Sequence, residues 1–437
     1  MESHATSRLR ARVERKLFLF LVFPIALITV ANSIDRVNIS YAGSAMSAEL
    51  GLSPAQFGLG VSMFFLAYLL FQYPHVGLLR VWGIKRWIFV SMVLWGVSGL
   101  WMSQVRSVSG FYAARFLLGM AEAGFAPGMT WLISQWAPSS LRGRAMSGAL
   151  VAVPLSMVLG GPLCGWLLGV DNAFGLSSWR FLFALVAIPN FVLALAAALY
   201  FVDRPAQARW LDASEKGWLS AAFEAPTDAN TVEHPSYRQM VRDPWLWRCC
   251  AAWLLMMTGS YALVFWLPQL VRALDLGSSE ILIGTLSALP LLGLALGLVF
   301  NGRRSDHKGE RLLHVGIPSA VAGIAMIVAA LLPSGWPVLA LLTAAGFGIG
   351  AAQGVFWTIP GAVRLGGDTV PIGAVALISM FGTAGGIVGP YLTGLAVGWT
   401  GSFSLAIGLL ASLLILVQGA IGFDRSGRAT SGAARDA

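Results

Sequence analysis

Charge is what this chain has least of. Only 11% of its 437 residues are Asp, Glu, Lys or Arg, where an ordinary soluble domain carries about a quarter, so a water-facing globular surface is excluded. Acid is scarcer than base: 20 Asp and Glu stand against 29 Lys and Arg, a formal charge of +9. Nucleic acid would be one reading of that excess, but the basic residues fall in short clusters between apolar runs, which points to membrane topology. Cys164, Cys249 and Cys250 are an odd set without metal-ligand spacing and imply no disulfide framework. With no metal site, phosphate loop or nucleophile constellation in view, nothing argues for an enzyme, and no cofactor is expected.

What the chain has in quantity is hydrocarbon, with 57% hydrophobic residues, 50 Gly and 17 Trp. About 20 apolar residues in a helix cross a hydrocarbon core of about 30 Å. Twelve segments meet that length, at 17–45, 54–79, 87–105, 108–135, 141–168, 178–202, 244–271, 279–301, 312–332, 336–362, 369–397 and 402–423. The first follows Arg8, Arg10, Arg12, Arg15 and Lys16, as a signal peptide would. Its apolar run is too long for one and is followed by many others, so it reads as an uncleaved first span.

An even number of spans puts both ends of the chain on one side. The two tails and the loops after spans two, four, six, eight and ten hold 23 of the 29 Lys and Arg; the opposite loops hold two, Arg106 and Arg272. The positive-inside rule then predicts cytoplasmic termini. One long polar connection, 203–243, separates residues 1–202 from 244–437 and divides the spans into two groups of six. The groups echo one another, "GGPLCGWL" in span five against "VGPYLTGL" in span eleven, and "GLLRVWGIKRW" against "GRRSDHKGER". The fold class predicted is an all-α membrane protein of twelve helices in two pseudo-symmetric six-helix bundles, with a substrate site between them near the midplane.

Four basic residues, Arg36, Arg115, Arg180 and Arg248, lie within spans or at their edges, and only two acids, Asp35 and Glu122, lie well inside. Arg180 and Arg248 sit near span ends and can snorkel to the interface. Asp35 and Arg36 interrupt span one in "VANSIDRVNIS"; Arg115 and Glu122 are seven residues apart on one face of span four. Counted from the outer span ends, Asp35 and Arg36 lie about 14–15 Å deep, between Arg115 at about 10 Å and Glu122 at about 21 Å. A charge at that depth is costly facing lipid and functional by default, although an interhelical lock or a span-end marker would also place charges here. Arg offers a planar fork to a carboxylate and stays charged, while burial favours the neutral form of an acid and a neighbouring guanidinium the ionised form. Two acids and two bases in one cavity are therefore suited to taking up a proton as an anion takes an arginine from its acid.

Eight segments, "DRVNIS", "FFLAYLLFQYP", "FYAARFLLGMAEAGFAPG", "LVAVPLSMVLGGPLCGWL", "WLPQLV", "GRRSDHKGER", "VFWTIPGA" and "GPYLTGL", resemble the anion:cation symporter family of the major facilitator superfamily, with its tartrate, phthalate and hydroxyphenylacetate permeases. The resemblance implies proton-handling carboxylates at Asp35 and Glu122, substrate contact at Arg36, and control of both acids by Arg115. It also implies a cavity lined by Tyr68, Gln72 and Trp357. Where relatives often have asparagines in span eleven this chain reads "LISMFGTAGG", so Ser379 and Thr383 stand at the substrate. Asp306 with Arg303 and Arg304 is placed to clasp helix ends when the inner gate closes. A small organic anion, protons and the lipid of the inner membrane are the expected partners, and a monomer the expected state. A proton-driven exporter and a membrane anion sensor are the competing functions; the arginines oppose a cationic drug, and the tails and central loop are too short for a signalling domain.

Overall fold

The computed structural model describes residues 4–170, 173–224, 237–308, 310–359 and 372–421, and among them the regular structure is helical throughout. A basic helix α1 (His4–Leu17) runs through one π-helical turn, Phe18–Val22, into α2 (Phe23–Leu50), which is span one. Then follow α3 (Pro54–Gln104), α4 (Val108–Glu122), α5 (Phe125–Trp136), α6 (Ser139–Leu150), α7 (Ala152–Leu168) and α8 (Ser178–Tyr200). The connection between the halves carries α9 (Ala213–Glu224) and α10 (Tyr237–Arg242). The later spans are α11 (Pro244–Ala273), α12 (Glu280–Lys308), α13 (Leu312–Leu331), α14 (Trp336–Phe356), α15 (Ile372–Thr400) and α16 (Ser404–Ile421).

Eleven helical stretches of the described residues are long and apolar enough to cross a membrane, against twelve predicted spans. The difference is α3, whose 51 residues would extend about 76 Å if straight, far beyond one bilayer. Its backbone leaves the helix at Gly83 (φ 75°, ψ 168°), where a residue without Cβ takes the positive φ and spans two and three meet. The Asp203 carboxylate packs on Gly83 and accepts the Lys85 amide at 3.3 Å. Spans four and five are each two helices, broken at Ala123–Gly124 and at Val151.

The chain sorts into two compact units, residues 1–45 with 66–231 and residues 46–65 with 232–437. Residues 46–65 sort with the later spans because the start of α3 packs on α15: Ser62 donates to the Ile387 carbonyl at 2.6 Å, and Gly58 meets the Pro390 carbonyl. In the first unit the connecting segment is docked. Trp210 stacks on Trp136 and Phe20, and Lys16 Nζ pairs with the fully buried Glu215 at 2.6 Å. In the second unit α12 and α14 approach backbone to backbone. Gly293 and Gly297 face Thr343 and Phe347, while Gly346, Gly350 and Gly354 face Pro290, Leu294 and Leu298, the small-residue contact by which membrane helices pack without a hydrophobic driving force.

Candidate functional site

Four helices of the first unit build the site. α2 is an apolar helix whose interior must accept Asp35 and Arg36, and it buries the acid at 4% exposure while the arginine side chain keeps 24%. α4 starts where the Ser107 side chain accepts the Gly110 amide at 3.1 Å, an N-cap that ends the preceding loop. From there Arg115 and Glu122, two turns apart, point the same way, and both are completely buried. The first arm of α3 supplies Tyr68. α8 supplies Asn190, which follows Pro189 in an otherwise apolar helix and is also completely buried.

These side chains converge. Arg36 Nη2 pairs with Glu122 Oε2 at 3.1 Å, and its guanidinium carbon lies 5.3 Å from the centre of the Tyr68 ring, within range of a cation–π contact. Asn32, one turn earlier on α2, faces the same Glu122 carboxylate. Arg115 has Glu122, Arg36 and Asp35 as charged neighbours. Asp35 receives a hydrogen bond from Asn190 Nδ2 at 2.5 Å and lies beside Cys164 of α7. Two carboxylates and two guanidiniums balance formally, as buried charges must when water cannot solvate them. Removing one member of a buried pair costs about 3–5 kcal/mol, since the other is left uncompensated. What the arrangement can do is set by the difference in exposure: the arginine end can reach an incoming anion, whereas the Glu122 end cannot.

The structure thus gathers Asp35, Arg36, Tyr68, Arg115 and Glu122, with Arg36 and Glu122 in an ion pair. Gln72, one turn beyond Tyr68, is half-buried. The remaining predicted residues belong to the second unit. Trp357 is 38% exposed and meets Trp253 edge-on at 5.0 Å, and Trp253 stacks on Phe356 at 4.5 Å. Thr383 donates to the Ser379 carbonyl at 3.1 Å, a bond within its own helix. Arg303 and Arg304 are exposed. The Asp306 carboxylate accepts from Arg311 Nη1 at 2.7 Å, so the arginine that clasps this loop is Arg311, which the sequence reading did not single out. Asn190 was missed too. Its one signal was a lone asparagine directly after proline in the apolar run "AIPNFV".

The Major Facilitator Superfamily profile matches residues 25–364. The chain is 34% identical over 411 residues to a protein of Agrobacterium vitis named "Putative tartrate transporter", covering 94% of each. It is 32% identical over 402 residues to the "Quinolone resistance transporter" of Acinetobacter baumannii, covering 92% of each. It is 30% identical over 388 residues to the "Inner membrane transport protein RhmT" of Escherichia coli, covering 89% of each. Among solved structures, a bacterial homolog of the human lysosomal transporter Spinster, inward-facing and unoccupied, matches with a TM-score of 0.75 at 17% identity, over 94% of this chain and 95% of that one. A D-xylose–proton symporter matches with a TM-score of 0.70 at 14% identity, over 92% of this chain and 97% of that one. At those identities the structural likeness speaks for the fold alone.

Proposed function

The chain belongs to the Major Facilitator Superfamily, a multi-pass membrane transporter rather than an enzyme, and on that premise we propose that it carries a small organic carboxylate into the cell together with protons. The observation that carries this reading is the Arg36–Glu122 pair: a guanidinium partly open on one side and joined on the other to a completely buried carboxylate. An arriving carboxylate competes for the Arg36 fork, in which two parallel N–H groups match its two oxygens. Once Arg36 turns toward the anion, Glu122 loses its 3.1 Å partner and its neutral form gains relative to its charged form. Proton uptake then accompanies anion binding, and release of one favours release of the other. Arg115, buried among both acids, keeps either from being stranded as an unpaired charge.

The tartrate transporter name of the Agrobacterium relative supports a hydroxy-acid substrate, and the 23-to-2 distribution of loop Lys and Arg supports a cytoplasmic-membrane protein with both termini inside. A monomer suffices, since the charged cluster is complete within one unit of one chain. The second reading, export of a drug, is favoured by the Acinetobacter relative. A screen of labelled tartrate, hexarates and small aromatic acids in expressing cells, with and without an uncoupler, tests the first. The expected result is accumulation of at least one acid that collapses with the proton gradient. Accumulation indifferent to the uncoupler contradicts proton coupling, and lowered quinolone accumulation with no acid taken up favours export.

A further inference from the structure

Asn190 is a fixed amide at a group that has to change its charge. Its Nδ2 donates to Asp35 Oδ2 at 2.5 Å, while its Oδ1, fully buried, has no hydrogen-bond partner among the described residues. An acceptor left alone in an apolar interior is costly, and an apolar side chain here would have avoided it.

The chemistry of the two groups gives the amide a second task. An ionised Asp35 offers only acceptors and needs a donor; a protonated Asp35 offers an O–H and needs an acceptor. A primary amide holds both, on two atoms of nearly equal size, interchanged by a half-turn about one side-chain bond. Resting on the proton-coupling reading above, we propose that Asn190 is the positioning residue that holds Asp35 in both protonation states. Nδ2–H donates to the carboxylate, and after the amide turns over Oδ1 accepts the carboxyl O–H. The proton that Asp35 gains or loses does not reside on the amide, so no bond of Asn190 is made or broken. The other groups facing Asp35 cannot do this. Arg115 on α4 is a donor only, Glu122 on α4 repels the ionised form, and Cys164 on α7 is a weak partner.

Infrared difference spectroscopy on the purified full-length chain, acid minus neutral, tests this without a substrate. Wild type should show a carboxyl C=O band that is absent from Asp35→Asn, together with an amide component that shifts when asparagine is labelled in the side chain. Asn190→Leu, close in shape but with neither donor nor acceptor, should move the carboxyl band to the higher frequency of an unbonded acid. It should also shift the pH midpoint of the band by about one unit or more. Asn190→Gln, which keeps both functions, should restore the band position. If Asn190→Leu does not fold, the labelled wild type and Asn190→Gln still decide. An Asp35 band that keeps its position and midpoint in Asn190→Leu, or a labelled wild-type spectrum without any asparagine component, overturns the proposal. Absence of any Asp35-dependent band overturns it as well, while uptake of an acid under a proton gradient remains a separate observation on which the transport reading stands or falls.

Discussion

At the scale of the residue, the site is defined by which group is open and which is closed. Arg36 is the member of the cluster that combines a charge with exposure, so on the proposed reading its task depends on the shape of its fork and not on charge alone. Arg36→Lys is expected to weaken substrate binding about tenfold or more although the charge is kept, because one ammonium cannot form two parallel hydrogen bonds to a carboxylate. Calorimetry on folded variant protein checks it, and near wild-type affinity would remove Arg36 from the substrate site. The convergence of Arg36 with Glu122 was legible in the sequence, since a charge inside an apolar run has to find a partner. Which arginine takes which acid was not. Depth along a span places a side chain within about a turn, but the choice between Arg36 and Arg115 depends on the rotation of α2 against α4. Asn190 escaped because an asparagine carries no charge to betray it.

At the scale of the element, two contacts decide how helices are held. The segment after span six is fixed by a reciprocal cap: Asp212 Oδ1 accepts the Glu215 amide at 2.8 Å and Glu215 Oε2 accepts the Asp212 amide at 2.9 Å, while Glu215 also binds Lys16 of α1. The Ser214 hydroxyl, then the Glu215 amide, hold the Asp212 carboxyl below its ordinary value of 3.8. A lowered value in the folded state means that this contribution is fully present above 3.8 and fades as pH falls through the lowered value. Amide protection over 213–224, taken relative to the intrinsic exchange rate at each pH, should therefore fall in acid, and Glu215→Ala should lower it already at neutral pH; unchanged protection in that variant would show that α9 is held otherwise. The second contact is the α12–α14 crossing. Gly350→Val places side-chain atoms on the Leu294 backbone and is expected to cost about 1–3 kcal/mol, read as a lower thermal midpoint in detergent. In span eleven Gly385 and Gly389 make the same kind of contact against Thr258. The α12–α14 ladder went unread because in a chain with 50 glycines the few that face a partner helix differ from the rest only in rotation.

At the scale of the whole molecule, on the proposed reading, charge outside the membrane sets orientation and charge inside it sets function. The spans were legible because hydrocarbon demands long apolar runs; the break at Gly83 was legible only as a loop, not as the single backbone turn it is. Reporter fusions at residues 225 and 437 are expected to report the cytoplasm, and a periplasmic signal at either would overturn the orientation read from the loop arginines and lysines. The central claim is that a buried acid takes up a proton as an anion is held by Arg36, and Glu122→Gln isolates it by keeping size and hydrogen bonding while removing titration. The decisive measurement is paired: proton-driven accumulation and substrate counterflow of the acid found by the uptake screen, in reconstituted vesicles, for wild type and Glu122→Gln. Counterflow retained with accumulation lost is the result expected, since exchange does not require the proton to leave. Accumulation undiminished in Glu122→Gln would contradict the account.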